Sequence, residues 1–73
     1  MLSREQVNKI REEYPKGTRI ELLEKLDDPY SKLKAGDIGV VRGVDDMGHI
    51  LMSWNVGSSL SLLVDVDRFK KCE

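Results

Sequence analysis

The sequence predicts a mainly β fold with one helix at the N-terminus, and three observations carry this prediction. Apolar residues recur at helical spacing near the start of the chain, within SREQVNKIREEY. From Thr18 onward they alternate with polar residues, which is the period of a half-buried strand. Glycines and short aspartate-rich stretches separate the alternating runs, as turns do in small all-β domains.

The first predicted element is a helix over residues 3–14. Ser3 and Gln6 form a capping-box pattern, in which each side chain accepts a hydrogen bond from the other residue's backbone N–H. Pro15 restricts the residue before it to extended geometry and therefore ends the helix. A helix this short needs a packing surface, because isolated short helices are marginal in water. Its apolar face consists of Val7, Ile10 and Tyr14.

Residues 18–73 are predicted to form a small SH3-like barrel of five strands. A long irregular loop follows the first strand, and a single helical turn precedes the last. Glycine inside a strand, as at Gly39 and Gly43, indicates a bulge or sharp bend that lets a small sheet curl. The spacing also allows an OB-type barrel, but this sequence lacks the helix expected between the middle strands of that fold. The strand runs are TRIELLEKL, IGVVRGV, HILMSW, SSLSLLV and KKCE.

The predicted core is formed by alternating positions of these strands. Trp54 shares the phase of Ile50 and Met52, so its indole is expected inside the barrel, with its N–H bonded to a carbonyl or a water. The alternative for Trp54 is an exposed stacking surface for a peptide, a base or another ligand. The predicted core positions are Ile20, Leu22, Ile38, Val40, Val44, Ile50, Met52, Trp54, Leu60 and Leu62, with Val7 and Ile10 of the helix packed against them.

Size and composition limit the classes of function. We expect the 73 residues to form one domain, 1–73. A net charge of −1 lacks the basic excess of a generic nucleic-acid-binding protein. The single cysteine, Cys72, cannot form an internal disulfide, which favours a reducing compartment, and we expect a cytoplasmic protein. We expect no membrane association, because no apolar run approaches the roughly 20 residues that span a bilayer and the N-terminus lacks the apolar segment of a signal peptide.

No arrangement of residues predicts an enzyme, a cofactor or a metal site. His49 and the serines of the 58–61 run lack the G-x-S-x-G elbow and the deep pocket of a serine hydrolase. The aspartate pairs 45–46 and 65–67 lack the central glycine and the terminal glutamate of an EF-hand loop. Turn formation explains the first pair, and helix capping at Asp65 explains the second. We therefore expect a non-catalytic protein that binds a partner.

Two segments are the leading candidates for a partner-binding surface, and the expected partner is a protein. One is the long loop after the first strand, because loops of this length in a small domain are either functional or mobile. The other is the last hairpin. The candidate residues are Asp27, Asp28 and Tyr30 in the loop and Asn55, Ser58 and Ser59 in the hairpin.

Two other functions stay open at this point. A nucleic-acid-associated module would need a local basic patch, since the chain has no basic excess as a whole. A self-assembling protein would pair the open edges of its sheet, and a homodimer would enlarge a marginal core. The residues available for a basic patch are Lys32, Lys34, Arg42, Arg68, Lys70 and Lys71.

Most of the chain resembles a known family. The pieces GTRIELL, DDPY, GVDD.G and W..GSSL, together with the opening SREQV, are similar to a small family of bacterial and phage proteins catalogued as domain of unknown function forty-three fourteen. The resemblance implies a curled five-strand sheet and a place among phages and other mobile elements, where we expect an accessory or host-interaction role. It implies no reaction.

One departure from the family pattern affects the last hairpin. Members often read Trp-Asp-Asn-Gly-Ser-Ser, whereas this chain has Trp54, Asn55, Val56 and Gly57. A β-branched residue such as Val56 resists positive φ. We therefore expect a type II turn in which only Gly57 has positive φ, rather than the type I′ turn that Asn-Gly favours.

Overall fold

A computed structural model describes residues 2–25 and 32–72. The described chain is mainly β with one short helix, as predicted. The elements in chain order are α1 Arg4–Glu13, β1 Arg19–Leu22, β2 Ile38–Val44, β3 Ile50–Trp54 and β4 Phe69–Lys71. Within the described ranges, no helix has the length and apolar character needed to cross a bilayer.

The helix begins where the sequence predicts. Ser3 is the N-cap, and the capping box is complete: the Ser3 N–H donates to Oε1 of Gln6 at 2.8 Å, and the Gln6 N–H donates to Oγ of Ser3 at 3.2 Å. Val7 and Ile10 are buried, and Ile10 belongs to the core that lies between the helix and the sheet. The exposed face of α1 is charged, as expected for an amphipathic helix that packs on one side.

The strands form a four-stranded antiparallel sheet in the order β3-β2-β1-β4. The predicted run SSLSLLV does not form a regular strand. It returns beside β3 through a bond from the Trp54 N–H to the Ser58 carbonyl at 2.9 Å and an isolated bridge between Ile50 and Leu62. Within the described residues the sheet is therefore open and has four strands, where five and a closed barrel were predicted.

The core is confirmed at most predicted positions, and the exceptions lie mainly in β2. Val40 is 40% exposed, whereas its neighbours Gly39 and Val41 are buried, so the prediction of Val40 as a core residue is wrong. A register shift between Val41 and Gly43 is the bulge that the strand glycines indicated, and it brings Val44 opposite Ile50. Ile38, Val44 and Leu60 are only half-buried. The buried core residues are Val7, Ile10, Ile20, Leu22, Leu33, Val41, Ile50, Met52, Trp54 and Leu62.

Trp54 is a core residue. It is 4% exposed, and its Nε1–H donates to the Leu60 carbonyl at 2.8 Å. Its ring occupies the space beside Gly39, where an added Cβ would lie 2.7 Å from Cε3 of Trp54 and 2.8 Å from Cε of Met52. This inward-facing position is a glycine because a larger residue would displace the indole. The predicted burial of Trp54 is confirmed, and so is its bond to a carbonyl.

The turn after Trp54 differs in type from the prediction. The Gly57 N–H donates to the Trp54 carbonyl at 3.0 Å, so Asn55 and Val56 are the central residues, and both have negative φ. Gly57 follows them with a φ of 82°. This is the pattern of a three-residue hairpin loop with glycine in the left-handed position. The positive φ of Gly57 is confirmed, and the predicted type II turn is wrong because the hydrogen bond closes one residue earlier.

Candidate binding cleft

An open cleft of about 250 Å³ lies at one end of the sheet. We call this end, formed by the 45–49 turn between β2 and β3 and by the 63–66 turn, the cleft end. The opposite end, formed by the 55–58 turn and the start of β2, is the hairpin end. The residues that line the cleft are Leu2, Asp46, Met47, Gly48, His49, Leu63, Asp65 and Val66.

Asp45 shapes the first wall of the cleft. Its Oδ1 accepts the backbone N–H groups of Met47 and His49, both at 2.9 Å, and its Oδ2 lies 3.1 Å from Nδ1 of His49. Partial burial raises the pKa of Asp45, but the hydrogen bonds from these donors and the adjacent imidazole outweigh burial and hold the pKa below its ordinary value of 3.8. The carboxylate therefore fixes the 45–49 turn by the bonding typical of aspartate in turns.

Arg11 of the helix forms hydrogen bonds with the same wall. Arg11 donates from Nη2 to Oδ1 of Asp46 at 2.9 Å and from Nε to the Val44 carbonyl at 3.2 Å. Gly48 is buried with a φ of 85°, and the side chain of Leu2 occupies the position that a Cβ on Gly48 would take. Leu2 therefore packs on the turn, while Met47 in the same turn is 62% exposed and lines the cleft.

The second wall is the 63–66 turn. It is closed by the Val66 and Asp67 N–H groups, which donate to the Leu63 carbonyl at 3.2 and 2.9 Å. Oδ2 of Asp67 accepts the Leu63 N–H at 2.8 Å, so Asp67 fixes this turn, a role that the sequence assigned to Asp65. Asp65 is exposed, and Val66 is 66% exposed. The turn thus contributes one carboxylate, Asp65, and two apolar side chains, Leu63 and Val66, to the lining of the cleft.

The cleft combines apolar side chains with an acidic rim. Met47, Leu63 and Val66 are among the exposed large apolar residues of the described chain, and each wall carries one lining aspartate. Within the described ranges, no three histidine, cysteine or acidic side chains come close enough to hold a metal ion. The arrangement is suited to holding an apolar group beside a positive charge.

Comparison with known protein families identifies the family of the chain. A family model described as Domain of unknown function (DUF4314) matches residues 3–72. The chain belongs to this family. Neither the curated proteins nor the solved structures gave a significant match. Both walls of the cleft and the Trp54 hairpin fall inside the part that matches DUF4314.

Of the partner-binding residues predicted from the sequence, the three that the structure describes lie at the hairpin end of this DUF4314 domain. Asp27, Asp28 and Tyr30 fall outside the described residues. Asn55, Ser58 and Ser59 lie at the hairpin end, where the Asn55 N–H donates to the Ile38 carbonyl at 2.9 Å, beside the strand that follows the long loop. Ser58 Oγ accepts the Leu60 N–H at 3.2 Å, whereas Ser59 is exposed. The structure thus brings the predicted hairpin residues to the start of β2.

The basic residues proposed for a patch do not all share a face in the DUF4314 domain. Lys70 Nζ lies 4.0 Å from Oε1 of Glu21, whereas Lys71 Nζ lies 5.0 Å from the ring centroid of Tyr14. Consecutive strand residues point to opposite sides of a sheet, so these two lysines cannot act together on one face. Arg68 is near Glu24, with Nε 3.7 Å from Oε1. The remaining candidates, Lys32, Lys34 and Arg42, are exposed.

Among the described residues, two aromatic rings contact each other outside the cleft. Tyr14 and Phe69 pack edge to face with ring centroids 5.6 Å apart. Burial, and to a smaller extent the negative charge of Glu13, raises the pKa of Tyr14 above its ordinary value of 10.0. Lys71 lies over the Tyr14 ring. These rings therefore pack the C-terminus of the helix on β4 and do not extend the cleft.

Sequence reasoning missed the cleft residues Met47, Leu63 and Val66. The available signal was an apolar residue inside each of two turn sequences, DDMG and DVD, where polar residues are the rule. Neither turn predicts a cleft by itself, because the cleft forms only when the sheet brings the two turns together.

Proposed function

We propose that this chain is a non-catalytic binding module whose cleft holds an apolar side chain of a protein partner. The observation that carries the proposal is the exposure of Met47 and Val66 on opposite walls of a preformed cleft of about 250 Å³. Isolated exposed apolar residues are ordinary, but several that share one concave surface are typical of interaction sites. A volume of this size suits one side chain better than a large cofactor.

Two features of the cleft support binding over a purely structural role. The 45–49 turn is held in shape by Asp45 and Arg11 without using the side chain of Met47, which is 62% exposed. The 63–66 turn is held by Asp67 and by backbone hydrogen bonds, without using the side chain of Val66. Both apolar side chains are therefore presented by rigid turns, which reduces the entropy lost when a partner binds.

The proposal includes the SH3-like arrangement of the sheet. β4 returns to pair with β1, and the bridge between Ile50 and Leu62 extends the sheet beyond β3, as a short additional strand would. The long connection between β1 and β2 lies where an SH3-like barrel has its longest loop. The phage or mobile-element accessory role belongs to the same proposal and is supported by the family resemblance. The cytoplasmic setting is supported by the single cysteine.

The test uses random short peptides displayed on phage and selected on the immobilised protein. Selected peptides are synthesised and titrated into ¹⁵N-labelled protein. We expect amide shifts at Met47, Gly48, Leu63 and Val66, with little change at 55–59. Val66→Asn should weaken binding roughly tenfold, since burying one such side chain is worth about 1.5 kcal/mol. Val56→Asn is the matched control, because Val56 is an exposed valine in the turn of the hairpin end.

Three outcomes would overturn the proposal. Peptides that shift only amides 55–59 would move the binding surface to the hairpin end. Equal loss of affinity in Val66→Asn and Val56→Asn would show that binding does not depend specifically on the cleft. Concentration-dependent light scattering of the protein alone, abolished by Val66→Asn, would assign the cleft to a second copy of the chain.

A further inference from the structure

We infer that the partner segment carries a lysine or arginine next to its apolar side chain, and that Asp65 receives this cation. The inference rests on the proposed function, because it specifies the chemistry of the segment that the cleft would hold. It follows from how the carboxylates around the cleft are already used within the chain.

The carboxylates of the first wall are engaged. Asp45 accepts two backbone N–H groups and pairs with His49 at 3.1 Å. Asp46 pairs with Arg11 at 2.9 Å. Each of these aspartates therefore has a cationic or hydrogen-bonding partner within the fold, and a ligand cation would have to compete with that partner.

Asp65 is different. It lines the second wall, it is exposed, and within residues 2–25 and 32–72 it has no ion-pair or hydrogen-bond partner. Asp67, two residues on, holds the turn through the Leu63 N–H, so Asp65 is not needed for turn formation. The sequence neighbour of Asp65 is Val66, the most exposed of the large apolar residues described.

The adjacency of Asp65 and Val66 sets the expected ligand. An apolar side chain that enters the cleft against Val66 places its sequence neighbours near Asp65, where a positive charge is attracted and a negative charge repelled. Charges of this kind select among partners more than they add affinity. The structure therefore favours a segment with an apolar residue beside a lysine or arginine, and it disfavours an acidic segment.

The test compares three acetylated, amidated pentapeptides that differ at one position: Gly-Ser-Leu-Lys-Gly, Gly-Ser-Leu-Ser-Gly and Gly-Ser-Leu-Glu-Gly. Each is titrated into ¹⁵N-labelled full chain at low and high salt. We expect the lysine peptide to bind roughly two- to fivefold more tightly than the serine peptide, as one exposed ion pair allows, and the glutamate peptide to bind more weakly than either. High salt should remove most of these differences.

Three variants test whether Asp65 causes the preference for the lysine peptide. Asp65→Asn should abolish the lysine preference, so that the lysine and serine peptides bind this variant with equal affinity. Asp46→Asn should have a smaller effect, because Asp46 is already paired with Arg11. Glu12→Gln removes one negative charge from the exposed face of α1, away from the cleft, and should leave the preference intact.

The outcomes separate the inference from the proposed function. Equal binding of all three peptides at the cleft amides would overturn the inference and leave the proposed function standing. A lysine preference that survives Asp65→Asn, or that is lost equally in Glu12→Gln, would also overturn it. If none of the peptides shifts the cleft amides, the proposed function fails and the inference fails with it.

Discussion

At the hairpin end of the sheet, Trp54 is buried and its N–H is bonded, whereas at the cleft end Met47 and Val66 lie mostly in solvent. At the hairpin end, Ser58 Oγ also makes a local hydrogen bond, which it accepts from the Leu60 N–H. The cleft end instead leaves the Asp65 carboxylate without a partner among the described residues. The difference indicates that the hairpin end stabilises the fold and that the cleft end presents a surface.

The comparison teaches that residues that stand out in a sequence can be engaged in packing and in local hydrogen bonds. The tryptophan and the serine run stand out in the sequence, but the structure uses the tryptophan for packing and Ser58 for a local hydrogen bond. The methionine and valine of the cleft are ordinary residues in short turns. They become a candidate site because rigid turns hold them exposed and close together.

The largest expected effect is at the hairpin end. Trp54→Ala should lower the free energy of unfolding by about 3–5 kcal/mol, because it removes a large buried ring and leaves a cavity. A chain of this size is typically stable by roughly 0.05–0.15 kcal/mol per residue, so the variant should be largely unfolded in mild denaturant. Urea unfolding followed by circular dichroism measures the effect. Val56→Ala, an exposed change in the adjacent turn, is the control, and equal stability of the two variants would show that the indole does not hold the core.

The second prediction compares the glycines that carry positive φ at the two ends. Gly57→Ala and Gly48→Ala both place alanine at a φ above 80°, which should cost about 1–2 kcal/mol. Gly57 has open space around it, whereas Gly48 packs against Leu2. Gly48→Ala should therefore cost slightly more, by up to about 1 kcal/mol, because the end of the flexible Leu2 side chain must move aside. Adding Leu2→Ala should recover the difference in a double-mutant cycle. Equal costs for the two glycines would contradict the packing of Leu2 on the 45–49 turn.

The fold could be predicted where the signal was local. The capping box placed the helix start at Ser3, and period-two alternation placed Trp54 with Ile50 and Met52. The inward-facing residues of β2 could not be predicted in this way, because one of them is Gly39, which makes room for the indole. Apolar alternation predicts that Val40 faces the core, whereas Val40 is exposed.

The candidate site could not be predicted for a different reason. Met47 and Val66 are 19 residues apart in the chain, and only the pairing of β2 with β3 and the bridge at Leu62 bring their turns together. Long-range contacts of this kind leave no periodic trace in the sequence. The predicted loop residues Asp27, Asp28 and Tyr30 lie outside the described residues, so that prediction stays open.

The third prediction concerns the pH dependence of the cleft end. Asp45→Ala should cost about 1–2 kcal/mol at neutral pH, because two backbone N–H groups lose their charged acceptor. The pKa of Asp45 is lowered in the folded state, so its contribution is fully present above the ordinary value of 3.8 and is lost as the pH falls through the lower folded value. The gap between the wild-type and variant free energies of unfolding should therefore shrink below that value. Asp65→Ala is the control, and we expect little effect at any pH.

The smallest expected effect is at the hairpin end and tests the comparison most directly. Ser59 is exposed and makes no hydrogen bond within the described residues, so Ser59→Ala should change the free energy of unfolding by less than about 0.5 kcal/mol. Ser58→Ala should cost slightly more, about 0.5–1 kcal/mol, because the Leu60 N–H loses its acceptor. Neither variant should alter the affinity for a peptide that binds the cleft, as isothermal titration calorimetry would show. Weaker binding in Ser59→Ala with unchanged stability would instead assign the partner surface to the hairpin end, because an exposed hydroxyl with no structural role can affect affinity only by contacting the ligand.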